Sequence, residues 1–374
     1  MKNLPRRAVD VSVIEHELKE LWEQMTEVSA EEDQQAVMRA CVANLIVYNP
    51  AGENAGEISP MIAEVTNQHP SRVILLLSEP DSSQASLDAM VTAQCHPSGR
   101  GRKQICCEQI VIQAAGADIS RLPSLVRTLV IPDLPVFLWW RDLPDFKSAL
   151  FTDFMQGADC VILDSACLAD AMQGLRTLAA LMEAKPQKTA FSDLSWCRLT
   201  PWRVLVAGFF DVPKYRSYLP RLNRVQIESV GQGSKEPSIP ADGLLLAAWL
   251  ASRLNWKATI KPHWLDERTC EWELEAEDRT VTIHIKITSS EGAARPGLSS
   301  LQLLVEGEPS AQWVASIAAD GKHLEGHVRL EGRNEGAGII RLDDDDEAQL
   351  AGKELEILGH DPIYEQGLKW LASR

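Results

Sequence analysis

Three short runs without a single polar side chain constrain this sequence most: Val73–Leu77, Val136–Trp140 and Cys160–Leu163. A strand with one wet face alternates apolar and polar residues, whereas a strand apolar at every position is buried on both faces. Such strands need a helical layer on each side. Helix-period patterns lie between or after them, at Ile58–Asn67, Ile119–Val130 and Leu168–Met182. Further strand-like stretches run from Arg39 to Tyr48 and from Gln104 to Gln113. The expected fold is α/β, or α+β overall, with a layered α/β domain of mostly buried strands over residues 40–185. In such sheets ligands gather beyond the strand C-termini. Those positions here are Ser78-Glu79, Arg141-Asp142 and Asp164-Ser165.

Residues 1–39 read differently. Val11, Ile14, Leu18, Leu21, Met25 and Val28 recur at steps of three and four, an apolar stripe on one face of a helix. The stripe docks on its own domain or on another subunit. Residues 186–240 form a connecting segment rich in Trp and Arg, including Trp196, Arg198, Trp202 and Arg203. Leu199-Thr-Pro-Trp-Arg203 reads as a helix start with Thr200 as cap and Pro201 as first helical residue. Asp242 can cap an apolar helix, Leu244–Leu254. After Trp256 the period becomes two. Val281, Ile283, Ile285 and Ile287 alternate with polar neighbours, as do Leu324, Val328 and Leu330. Residues 241–374 are therefore expected to hold an antiparallel sheet with flanking helices and an acidic C-terminal part. The acidic run Asp343–Asp346 precedes a helix-like stretch, where carboxylates suit exposed N–H groups.

The 374 residues suit two or three domains. Lys and Arg number 37 against 53 Asp and Glu, a net charge of −16. A surface that negative repels phosphate backbones and anionic lipid, so neither nucleic acid nor membrane is an expected partner. From Asp266 onward 23 acidic residues face 11 basic ones, which leaves only −4 for the first 265 residues. Any anion site belongs in the first part. No apolar run reaches the ~18–20 residues that span a bilayer.

No G-x-G-x-x-G follows a strand, and neither a P-loop, H-E-x-x-H nor G-x-S-x-G occurs. No catalytic residue, cofactor or metal is therefore assigned. His323, Glu325 and His327 share one strand face, which reads as solvated. The loop Gly99-Arg-Gly-Arg-Lys103 gathers three cations, either as a hairpin tip or to meet an acidic group. The eight cysteines form no dense framework and read mostly as buried thiols, with Cys106, Cys107, Cys160 and Cys167 as redox candidates. Cys95-His96 and Cys106-Cys107 match no compact zinc pattern. Partner-binding candidates are His69 and Arg72 before the first buried strand, the Trp139-Trp140-Arg141 string, Arg198, Trp202 and Arg203. The stripe residues Leu18, Leu21 and Met25 join them. Trp and Arg are enriched at interface hot spots. The rival reading places Asp164, Glu79, Arg141 and His69 around a sugar phosphate in a strand-end pocket, as an enzyme or metabolite sensor.

The strings His69-Pro-Ser-Arg72, Gln104-Ile-Cys-Cys-Glu-Gln109, Pro132-Asp-Leu-Pro-Val-Phe-Leu-Trp-Trp140, Asp164-Ser165, Leu199-Thr-Pro-Trp-Arg203 and Trp249-Leu-Ala-Ser-Arg253 occur in that order. Together they resemble the glucose-6-phosphate dehydrogenase assembly protein family, OpcA, over about residues 40 to 255. The resemblance implies a non-catalytic, cytoplasmic protein without a cofactor. Its partner would be glucose-6-phosphate dehydrogenase, and binding would promote that enzyme's assembly or active state. It names no small-molecule ligand.

Overall fold

A computed structural model describes residues 2–3, 11–31, 36–50, 55–97, 103–141, 144–184, 189–231, 238–288, 297–342, 346–357 and 359–373. The chain divides into two compact units. The first comprises Met1–Asp164, Lys185–Leu194 and Asp346–His360; the second comprises Ser165–Ala184, Ser195–Asp345 and Asp361–Arg374. This division is interleaved, unlike the consecutive segments read from the sequence. The helix at Ala171–Ala184 falls in the second unit and the stretch 346–360 in the first.

The first unit holds strands β1 (Lys2–Asn3), β2 (Ala36–Arg39), β3 (Ala43–Pro50), β4 (Ser71–Glu79) and β5 (Ser86–Pro97). It continues with β6 (Lys103–Ala115), β7 (Val136–Trp140), β8 (Cys160–Leu163) and β9 (Ala190–Asp193). They form one sheet in the order β1-β5-β6-β4-β3-β7-β8-β9, with β2 beside β6. From β6 to β9 every neighbouring pair is parallel. The order reverses between β3 and β7, the switch point of a doubly wound sheet. The expected runs sit at its centre: Val73–Leu76, Phe137–Trp140 and Cys160–Leu163 are all buried. Helices α1 (Val11–Glu31), α2 (Ala55–Gln68), α3 (Leu122–Leu129) and α4 (Ala149–Met155) belong to this unit.

In the second unit lie α5 (Ala171–Ala184), α6 (Leu194–Arg198, whose first residue closes the first unit), α7 (Thr200–Asp211), α8 (Pro213–Arg216) and α9 (Ala241–Arg253). Returning to the first unit, α10 (Glu347–Leu355) packs on α2. The final helix, α11 (Pro362–Ala372), packs in the second unit against α5 and α9. Asp346 caps α10 by accepting from the Ala348 N–H at 2.9 Å, which is how the acidic run favours that helix. Asp343–Asp345 lie outside the described residues.

The second sheet is built from β10 (Arg224–Val230), β11 (Lys257–Ala258), β12 (His263–Trp264), β13 (Thr269–Ala276) and β14 (Arg279–Thr288). Its remaining strands are β15 (Gly297–Val305), β16 (Ala311–Ile317), β17 (His323–Leu330) and β18 (Arg333–Arg341). Their order is β11-β13-β14-β10-β15-β16-β17-β18, with β12 also on β13. All pairs are antiparallel except β10 with β14. The stretch holding β10 reads as connecting segment in the sequence, yet it forms the middle of this sheet. Its Val225 and Ile227 alternate toward the core like those of its neighbours. Likewise β9, from the same stretch, completes the first sheet.

One buried carboxylate organises the β6 end of the first unit. Glu108 on β6 has no solvent exposure. It accepts from Arg72 Nε on β4, from an Arg39 terminal nitrogen on β2 at 3.0 Å and from Trp22 Nε1 on α1 at 3.0 Å. Arg72 also reaches the Leu129 carbonyl at 2.6 Å and Glu15 on α1 at 3.1 Å. One buried charge thereby ties α1, β2, β4 and α3 to β6. Removing one partner of a buried pair leaves the other uncompensated. Glu108→Ala is expected to cost about 3–5 kcal/mol in urea unfolding. Arg39→Ala, which loses a half-exposed arginine, is expected to cost well under half as much; equal losses would contradict this account.

Candidate functional site

The described residues place a polar constellation where β3 and β7 end. Arg141 follows β7, and its guanidinium meets Glu347 at the start of α10 through two parallel contacts, Nε to Oε1 and a terminal nitrogen to Oε2, each 2.9 Å. Its other terminal nitrogen donates to Asn49 Oδ1 at 3.0 Å, and its plane lies 5.7 Å from the Trp139 ring centre. Only 8% of the Arg141 side chain is exposed. A bidentate fork is the strongest arrangement an arginine offers a carboxylate. Where a doubly wound sheet would present a ligand's anionic group, this chain presents its own carboxylate to its own arginine. The sequence from the end of β3 into α2, Pro50-Ala-Gly-Glu-Asn-Ala-Gly56, also lacks the glycine spacing that cradles a pyrophosphate.

The opposite face of the same strands is aromatic. Trp140 stacks on Tyr48 with ring centres 3.9 Å apart and meets Phe151 edge-on at 5.1 Å. Adjacent tryptophans do point to opposite faces, as their spacing requires. Both are buried, Trp139 completely. They are core residues, not exposed anchors: Phe151 and Phe154 of α4 cover Trp140, and Trp139 has no solvent exposure.

Several other candidates are likewise taken up inside the fold. Arg72 is 5% exposed and its donors serve Glu108, Glu15 and Leu129, so it positions neighbours and presents no outward fork. Trp202 is buried within α7. Leu18 is buried with Ile14 beneath α1, which docks on β5 and β2 of its own unit, while Leu21 and Met25 stay half-exposed. The side chain of Val28 lies outside the described residues, as do residues 98–102 of the cationic loop. His69 precedes β4 and sits at the sheet end opposite Arg141 and Glu79, with Glu356, the residue after α10, 3.9 Å from its Nε2. The pocket imagined from Asp164, Glu79, Arg141 and His69 therefore does not assemble.

In the second unit Arg203 lies over the Trp196 ring at 3.4 Å and donates to the Trp196 carbonyl and to Thr200 Oγ1. Trp196 Nε1 donates to Asp361 Oδ2 at 2.7 Å. Thr200 is the first helical residue of α7 and not its cap, a shift of one position. Arg198 reaches Ser195 Oγ at 3.5 Å and pulls on the Asp242 carboxylate. These arginines and tryptophans brace their own unit.

Two cysteine expectations change. Cys95 and Cys106 face each other across β5 and β6 and form a disulfide, a pairing not read from the sequence. Cys107 points to the other face of β6 and is buried. Burial pushes the Cys107 thiol up and the Cys160 thiol up to about 11, so neither is a thiolate near neutrality. Cys167 is exposed.

The helix-like stretch after Asp343–Asp346 begins at Glu347, and nothing local marks its partner Arg141, 206 residues away. Asp242 is not the cap the sequence suggests: α9 begins at Ala241, after Pro240, and Asp242 lies in its first turn. In the structure it accepts from the Gly243 N–H at 2.7 Å and Ser229 Oγ at 3.3 Å. Burial pushes its carboxyl above the ordinary range, against those hydrogen bonds and Arg198. A raised folded-state pKa means that the folded protein holds this proton more tightly than the unfolded chain. That stabilisation is present below the unfolded value, about 4, and is lost as pH rises through the folded value. Urea unfolding of the wild type is expected to show this decline, and Asp242→Asn to lack it; identical pH slopes would contradict the assignment.

Two family models match the chain. One, described as the glucose-6-phosphate dehydrogenase subunit N-terminal domain, covers residues 62–180; the other, that subunit's C-terminal domain, covers residues 189–368. The OpcA protein of Synechocystis sp., named for the OxPP cycle, is 27% identical over 341 residues, covering 86% of this chain and 66% of that one. The like-named protein of Nostoc punctiforme is 35% identical over 209 residues, covering 55% and 42%. The chain thus spans just under two thirds of the first relative's length and less than half of the second's. Among solved structures, a myo-inositol dehydrogenase from Lactobacillus casei shares 10% identity at a TM-score of 0.46, covering 88% of this chain and 91% of that one. The WlbA dehydrogenase of Thermus thermophilus shares 11% at 0.43, covering 88% and 94%.

Proposed function

The chain belongs to the OpcA family, and from that membership we propose that it is a non-catalytic, cytoplasmic partner of glucose-6-phosphate dehydrogenase. It binds the dehydrogenase and promotes its assembly or its active conformation, and so supports the oxidative pentose phosphate pathway. The single observation that carries the non-catalytic part is the closed Arg141–Glu347 fork with Asn49 at the strand ends. So engaged, Arg141 gives the Nε edge of its fork to the chain's own carboxylate, at the strand end where such a sheet would usually meet a ligand. The dehydrogenase part rests on the two domain models that together cover most of residues 62–368.

To carry a minor active conformation from 1:99 to 99:1, a partner must prefer it by about 5.5 kcal/mol. An interface of standard size with a few good anchors supplies that. Of the residues singled out from sequence, Leu21 and Met25 on α1 and the partly exposed Arg198 and Arg203 retain surface for such contacts. The α1 pair is the first choice, because it continues an apolar stripe whose other members are already docked.

The test is the initial rate of a glucose-6-phosphate dehydrogenase from the same source, titrated with glucose 6-phosphate with and without this chain. A lower KM, a higher kcat or a larger dehydrogenase assembly is expected, and a Leu21→Asp, Met25→Asp variant is expected to weaken the effect several-fold. No change in KM, kcat or assembly would overturn the proposal.

A further inference from the structure

The second sheet is covered on one side only. Phe209 and Leu205 of α7 crowd Gly326, Gly243 of α9 lies against Ile285 and Ile227, and Trp370 of α11 meets Trp272. All these strand residues belong to the same face. The other face is polar and open. Glu273, Lys286, His327 and Arg329 are exposed; Gln226, Gln302, Val314 and Ser316 are partly so. It also carries Ile339, 65% exposed, the most exposed of the large apolar side chains among the described residues, and Leu265 at 53%.

The strand registers lay this face out in rows. One row reads Glu271, His284, Gln226, Gln302, Val314, His327, Ala337. The next reads Glu273, Thr282, Arg224, Leu304, Gln312, Arg329, Asn334. On the other side of the first row come Thr269, Lys286, Glu228, Ser300, Ser316, Glu325 and Ile339. Leu265 extends this last row beyond Thr269, to whose carbonyl its N–H donates at 2.9 Å. The β13 side is thus acidic, with Glu271, Glu273 and Glu275. The centre carries Lys286, Arg224 and Glu228, and the β17–β18 side holds Arg329 and Arg341 with Glu325.

From this layout we infer that the open face is where a second copy of this chain docks, sheet on sheet, about a two-fold axis parallel to the strands between β10 and β15. Such an axis keeps each row in place and exchanges its ends. It sets Glu273 of one copy against Arg329 of the other, Glu271 against His327, Gln226 against Gln302 and Leu265 against Ile339. None of these three rows brings like charges together. A two-fold axis running across the strands would instead lay the acidic β13 stripe on itself, so the charge pattern selects the first axis.

The size is also right. Eight strands about 4.8 Å apart and roughly 7 residues long present a face of roughly 800 Å². That equals the share each partner contributes to a standard interface, about 800 Å². The rim charges fix the register more than the affinity, because exposed pairs contribute little while opposed like charges are costly.

Sedimentation equilibrium of the full chain, without any dehydrogenase, tests this independently of the proposed function. The wild type is expected to be a dimer at about 50 μM by mass action. Glu273→Arg alone faces Arg329, and Arg329→Glu alone faces Glu273. Each is expected to raise the dimer Kd by about tenfold or more. Mixing the two single variants creates heterodimers in which every such pair is again opposite in sign, so dimerisation is expected to return to within about threefold of wild type. Both positions are exposed, and thermal unfolding of each variant is expected to match the wild type. A monomeric wild type at that concentration would overturn the inference. So would a dimer indifferent to the single variants, or a mixture that fails to recover.

Discussion

A carboxylate cut off from water governs the β6 end of the first unit. Glu108 stays buried only because Arg72, Arg39 and Trp22 converge on it, and each comes from a different element. A lone charge in that position would cost several kcal/mol, so the surrounding elements cannot drift apart without exposing the deficit. The N-terminal helix is held by this requirement as much as by Ile14 and Leu18 beneath it. The Cys95–Cys106 disulfide lies two residues along β6 and joins the same strand to β5.

At the switch point a second arginine is satisfied in the same manner. Arg141 is enclosed by Glu347 and Asn49. A doubly wound sheet is an architecture suited to ligands, and fold alone does not fix function. The strand-end position has been converted from a place that receives an anion into a brace that seats α10. Such a brace explains why a segment so late in the chain returns to the first unit. In the second unit Trp196, Arg203 and Asp361 make a comparable brace between α6, α7 and the start of α11. Aromatic and cationic side chains that would suit a recognition surface are largely spent on internal order, which leaves the outward faces of α1 and of the antiparallel sheet for association.

Much of this is legible in local pattern alone. Continuous apolar runs located β4, β7 and β8, because burial on both faces leaves no room for polar residues. The period of two located β14 and β17, and the three-four stripe located α1. What pattern did not convey were pairings across long sequence distance. Glu347 reads as a helix-starting carboxylate, and nothing local says that Arg141 waits for it. Trp139-Trp140-Arg141 reads as an interface string, since local sequence cannot say that both tryptophans are buried in the fold. The strand β10 follows a stretch rich in prolines and arginines, which hides its alternation until its neighbours are known. Chain order misassigned α5 and α10 for a related reason: contact, not succession, decides which unit a helix joins.

The account rests on physical association between this chain and a glucose-6-phosphate dehydrogenase. Sedimentation velocity of the two purified proteins, alone and mixed, addresses it most directly. A new, faster boundary containing both proteins, saturating at a fixed ratio, is the predicted result. Two boundaries that sediment unchanged across the full range of mixing ratios would contradict it.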